Sequence, residues 1–103
     1  MELYRRDGTA YPSGVDDVLE WAKDFQDPAK QIVAQEHLPN GYFVSTVWLG
    51  LNHQWGDGPP LIFETMIFGA DGATDYQERY ATEADAIQGH QRAVEFAKGL
   101  NGH

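Results

Sequence analysis

The sequence predicts an α+β fold, an antiparallel four-stranded β-meander packed by two helices, one before the sheet and one after it. Three observations carry this expectation. Tyr42 to Phe68 holds two β-rich apolar runs, YFVSTVWLGL and PPLIFETMIF, around a loop of Gly, Pro, Asn and Asp. An amphipathic stretch with helix-start signals precedes them, and a stretch with signals for both helix ends closes the chain. At 103 residues the chain has room for one core, so a single domain over 1–103 is expected.

In chain order, Glu2 to Arg6 reads as an arm or a short edge strand, and Asp7-Gly8 as a turn. Ser13 is a candidate N-cap, with Asp16 three residues on and Asp17 beside it favouring a helix N-terminus. At about 100° per residue, Val15, Val18, Leu19, Ala22 and Phe25 share one broad side with Trp21 at its margin. Asp16, Asp17, Glu20, Asp24 and Asp27 line the other side, and Asp27-Pro28 stops the helix because proline disfavours helical geometry in the residue before it.

Lys30 to Leu38 reads as the first strand and Pro39-Asn40-Gly41 as its turn. Tyr42 to Leu51 is the second strand, Leu61 to Phe68 the third and Tyr76 to Ala81 the fourth. Val44, Thr46, Val47, Trp48, Ile62, Phe63, Thr65, Ile67 and Phe68 are the β-branched and aromatic types that suit a pleated, half-buried surface. In the last helix Thr82 is the N-cap, Glu83 and Asp85 complement the first turn, and Lys98 and Gly99 mark the end. Ile87, His90, Val94, Ala97 and Leu100 form its packing stripe beside Ala86 and Ala93, with Gly89 placed for close approach to the sheet.

The second strand is apolar on both sides, whereas a small antiparallel sheet usually buries one face and wets the other. We expect helices over Phe43, Val47 and Leu49, leaving Tyr42, Val44 and Trp48 for function, although the reverse assignment satisfies the alternation equally. The uncovered face then meets the N-terminal segment, a second copy in a homodimer, or a partner protein.

Composition narrows the function. Sixteen acidic against seven basic side chains give a net charge of −9, which repels phosphate backbones and anionic membrane surfaces and attracts basic partners. Direct nucleic-acid binding and membrane association are not expected, while a protein partner is. No cysteine is present, which removes thiolate nucleophiles and zinc–thiolate sites. No apolar run approaches the roughly 20 residues that span a bilayer, and MELYRRDG lacks a signal-peptide core, so a cytoplasmic location is expected.

No catalytic motif stands out, and neither a cofactor nor a metal is expected. Glu64 interrupts an apolar strand, so an acid–base or metal-dependent site using Glu64 with His53 or His90 is the alternative to binding. Its simpler account is a cross-strand pair with Arg79. His90 on a core stripe more simply makes a structural hydrogen bond. Gly56-Asp57-Gly58 lacks the lysine, spacing and helix of a phosphate-binding loop.

The candidate binding residues are therefore aromatic or acidic. Trp55 at the tip of the Asn52 to Pro60 loop, with His53 and Asp57, is one set, and Tyr42 and Trp48 on the second strand are another. The stripe Asp16, Asp17, Glu20, Asp24 and Asp27 is the third. Residues four apart on a helix stand about 6 Å apart along its axis, near the spacing of successive phosphates, so the stripe could suit a basic groove; a solvated helix face is the simpler account.

The runs VSTVWLGLNH, PPLIFETMIF and RYATEADAIQGH resemble small uncharacterised proteins of tailed bacteriophages and prophages, particularly of actinobacteria. The resemblance covers roughly the last two-thirds of the chain and implies a phage-associated protein in the bacterial host cytoplasm. It carries no activity and no catalytic residues. The expected function is binding to a host or phage macromolecule, with inhibition of a defence or nucleic-acid-processing system as one form; a homo-oligomeric structural component is the other non-catalytic reading.

Overall fold

The strands of the meander pair in sequence order, β1-β2-β3-β4, and every pair is antiparallel. The computed structural model describes residues 3–11, 15–51 and 58–100, with the backbone alone for 15–17. Its elements are α1 (Val15–Phe25), α2 (Pro28–Gln31), β1 (Ile32–His37), β2 (Phe43–Trp48), β3 (Phe63–Gly69), β4 (Gly72–Tyr80) and α3 (Glu83–Lys98). Among the described residues no helix is long and apolar enough to cross a membrane.

The short helix α2 replaces the start of the expected first strand. Asp27 caps it, its carboxylate accepting from the Ala29 N–H at 3.0 Å, and Pro28 fits the first turn, where the lost N–H has no helical partner. The last helix follows its end signals: Thr82 accepts from the Asp85 N–H at 3.1 Å, and Gly99 is the C-cap.

Register places Val44, Thr46 and Trp48 of β2 beside Ile67, Thr65 and Phe63 of β3. These six side chains are all buried, and α3 packs over them. This reverses the expected face: Val44 and Trp48 are core, while Phe43 and Val47 lie on the side that no helix covers among the described residues. The decisive contact is polar. Thr46 and Thr65 sit opposite each other with hydroxyls 2.5 Å apart, and His90 Nδ1 of α3 lies 2.8 Å from Thr46 Oγ1. Three polar groups that would each be costly to bury alone satisfy one another beneath the helix.

The packing face of α3 is made of Ala86, Gly89, His90, Ala93, Val94 and Ala97. Ile87, expected on that stripe, is 44% exposed. Small residues bring the helix so close that a Cβ on Gly89 would overlap the Tyr80 ring. The core falls into two clusters along the sheet. One joins Leu3, Tyr11, Trp48, Ile62, Phe63, Tyr80 and Ala86, and the other joins Leu38, Val44, Ile67, Ala93, Val94 and Ala97.

Helix α1 docks on the first cluster through Trp21 and Phe25 rather than through the broader expected side. Their rings stack at 5.2 Å, Phe25 meets Trp48 at 6.3 Å, and Trp21 Nε1 donates to the Leu49 carbonyl. Val18 and Leu19, expected inside, are 47% and 65% exposed. Gly50, at φ +74°, admits the two indoles, since a Cβ there would overlap both Trp21 and Trp48.

The N-terminal arm is held by bridges between Leu3 and Leu51 and between Tyr4 and Ala10, around a turn at Gly8 with φ +95°. Arg6 ties the arm to the body. Its guanidinium grips Glu83 at the start of α3 and donates to the carbonyls of Ala29, Lys30 and Ile32 at the end of α2.

Candidate binding site

At the end of the sheet where the β1–β2 and β3–β4 turns lie, aromatic side chains appear on both faces. On the uncovered face His37, Phe43 and Phe68 form a row across three strands. His37 stacks on Phe43 at 4.3 Å and Phe43 meets Phe68 at 6.1 Å, as their cross-strand pairing requires. Val47 and Met66 extend this face, partly exposed.

On the helix side of the same end, Tyr42, Thr74, Asp75, Tyr76, Phe96 and Leu100 line a cavity of about 410 Å³. Each wall has a local cause. Between the pairs Met66–Gln77 and Phe68–Ala73, β3 advances two residues and β4 four, so β4 bulges over Thr74 to Tyr76. Thr74 fixes that bulge by donating to the Ile67 carbonyl and accepting from the Tyr76 N–H. Tyr42 lies across Gly69, where a Cβ would press on its ring. The turn carrying Tyr42 is tied to the end of α3, because Asn40 Nδ2 donates to the Ala97 and Leu100 carbonyls at 2.8 and 3.1 Å.

Tyr76 and Phe96 stand 5.2 Å apart at 36°, and Phe96 remains 53% exposed. Burial pushes the Tyr76 phenol up to about 12, helped by its hydrogen bond to Glu78, so it stays protonated at neutral pH. Asp75 is exposed at the rim and makes no ion pair or hydrogen bond among the described residues.

Of the sequence-predicted residues, only Tyr42 reaches this cavity. Trp48 is a correction: it is 1% exposed, its indole N–H donating to the Tyr4 carbonyl, and it has no surface to bind with. Trp55, His53 and Asp57 lie outside the described residues, as do the side chains of Asp16 and Asp17. The rest of the acidic stripe is mostly engaged within the molecule. Asp24 accepts from Lys30 Nζ and the Tyr11 hydroxyl, each at 2.7 Å, and these bonds, Lys30 first, hold its carboxyl below the ordinary value. Asp27 caps α2, and Glu20 lies 3.9 Å from Arg5.

Tyr76, Phe96 and Asp75 were missed by sequence reasoning. A legible signal existed for Phe96: it is a large ring beside, not on, the small-residue stripe of α3. The bulge that delivers Asp75 and Tyr76 leaves no comparable mark.

Of the alternative acid–base set, Glu64 and His90 are not brought together, and His53 lies outside the described residues. Glu64 lies on the uncovered face, where Arg79 Nε at 3.0 Å and Gln77 Nε2 at 2.8 Å hold its carboxylate, while His90 lies beneath α3 on the other face. Among the described residues no three His, Asp or Glu side chains converge as a metal site requires. A second cavity, about 320 Å³, collects Arg5, Arg6 and Lys30. Arg6 and Lys30 are held by Glu83 and Asp24, and Arg5 lies over the Tyr11 ring, so this cluster serves the fold.

Compared with protein-family models, curated proteins and solved structures, the chain matches none of them.

Proposed function

We propose that this is a phage-associated protein of the bacterial cytoplasm that acts by binding a basic protein, with the aromatic end of the sheet as its docking surface. The observation that carries the reading is the aromatic cover of that end on both faces: His37, Phe43 and Phe68 on one side, Tyr42, Tyr76 and Phe96 on the other. Aromatic anchors supply much of the binding energy of protein interfaces. The net charge of −9 steers basic partners toward the molecule and repels nucleic acid. Proteins that process nucleic acid carry basic grooves, which makes inhibition of such a protein the natural outcome of binding.

Affinity capture from bacterial lysate tests this, comparing wild type with Phe43→Ser and Phe96→Ser after circular dichroism has established that both variants fold. The reading expects a basic partner captured by wild type, weakened by either substitution and weakened further by raised salt. A partner retained equally by both variants, or no protein partner at all, overturns it.

A further inference from the structure

The cavity between β4 and the end of α3 has a chemistry that selects its occupant. We infer that it receives an arginine side chain of the partner protein, an inference that rests on the protein-binding reading above.

Three aromatic rings, those of Tyr42, Tyr76 and Phe96, line one cavity of about 410 Å³. The faces of such rings are negative and attract a cation placed over them. Among the described residues Asp75, at the rim, has no ion pair of its own, and no lysine or arginine lines the cavity. Arg92, on the β4 side of α3, is already engaged by Glu78 at 2.8 Å. The cavity also lies at the C-terminal end of α3, where the helix dipole is negative. Ring faces, carboxylate, dipole and net charge thus all have the same sign.

Guanidinium fits this arrangement better than ammonium. It is planar, stacks on aromatic faces, sheds water more readily, and offers a fork of N–H donors to a carboxylate. Seated against Tyr76 and Phe96, it would place that fork toward Asp75. An apolar side chain would fill the same volume but leave the Asp75 charge uncompensated.

The test is an NMR titration of the full chain with N-acetyl-arginine methylamide, following the backbone amides of Asp75, Tyr76 and Phe96. Its neutral isostere, the citrulline derivative, and the lysine derivative are titrated in parallel. The expected result is saturable shifts centred on those amides, with the citrulline compound weaker by about 5-fold or more and lysine intermediate. Asp75→Asn, an exposed change that leaves packing intact, should weaken arginine by about 3-fold and leave citrulline unchanged. Equal affinity for arginine and citrulline derivatives, tighter binding of lysine, or shifts away from these residues overturns the inference. The two readings fail separately. A captured partner lost in Phe96→Ser, combined with no preference for arginine over citrulline, leaves protein binding standing and removes the arginine. Arginine-selective shifts with no partner sensitive to Phe43 or Phe96 remove the protein-binding reading and leave only the cavity's preference for guanidinium.

Discussion

Replacing Gly89 by alanine reverses the usual sign of that substitution. In an exposed helix the change gains about 1 kcal/mol, because glycine is the poorer helix former. Here the new methyl would overlap Cζ, Cε1 and the hydroxyl of Tyr80. The ring has little freedom to move aside: Tyr80 is 5% exposed and paired opposite Phe63. Overpacking costs roughly 1–3 kcal/mol and sometimes more, and a Cβ overlapping the atoms of a buried ring belongs in the upper part of that range, so after the propensity gain a net loss of about 1–2 kcal/mol remains. For a domain near this size that lowers Tm by roughly 5–15 °C. Thermal and urea unfolding followed by circular dichroism should give a lower midpoint with an unchanged urea slope. The same substitution in a Tyr80→Leu background should recover most of the loss, because the overlapping atoms are gone. A Gly89→Ala protein as stable as wild type, or one equally destabilised without the tyrosine ring, would refute the close-approach argument.

Two further outcomes follow from buried or tethered groups. Burial pushes the His90 imidazole below its ordinary value near 6.5, an effect that the Glu36 charge only partly opposes, so the unfolded chain takes up the proton first as pH falls. His90 therefore contributes fully above about pH 6.5, and stability declines below it with a slope of at most about 1.4 kcal/mol per pH unit until the folded-state value is passed. Urea midpoints measured from pH 8 to 5 should show this decline in wild type and lose it in His90→Gln. Arg6→Ala removes the pair with Glu83 and three carbonyl contacts; with side chains 29% and 40% exposed, we expect a loss of only about 1–2 kcal/mol in urea unfolding. Arg6→Lys should recover little of it, since one ammonium cannot replace the guanidinium fork.

The sheet and its strand order were legible because turn residues punctuate β-rich runs at hairpin spacing, and the last helix because its capping residues lie in sequence. The covered face was not legible, for a physical reason. With Phe43, Val47 and Leu49 on one side of β2 and Val44, Thr46 and Trp48 on the other, alternation fixes the pleat but not which side is inward. The contact that marks the inner side joins Thr46 to His90, which arrives from a helix 44 residues away. In α1 a hydrophobic stripe was visible, yet the aromatic pair Trp21 and Phe25 outweighs Val18 and Leu19 in the area it can bury. Helix α2 is a single turn, too short for periodicity to register. The Glu64–Arg79 pair was legible, being cross-strand neighbours on one face. Of the cavity only Tyr42 was legible, since a bulge in β4 and the end of α3 supply the rest.

A meander whose strands pair in sequence order ends in two flanking strands, β1 and β4. Each offers backbone groups along its outer side, and such edges are where sheets of separate molecules join and aggregation begins. Glu36 stands on β1 and Asp75 on β4, where Glu78 and Arg79 are already paired with Arg92 and Glu64. Two copies meeting edge to edge would bring like carboxylates together within the excess negative charge of both molecules, which opposes the pairing. The excess acidity of the chain therefore disfavours edge-to-edge association of its own copies, whatever partner it takes.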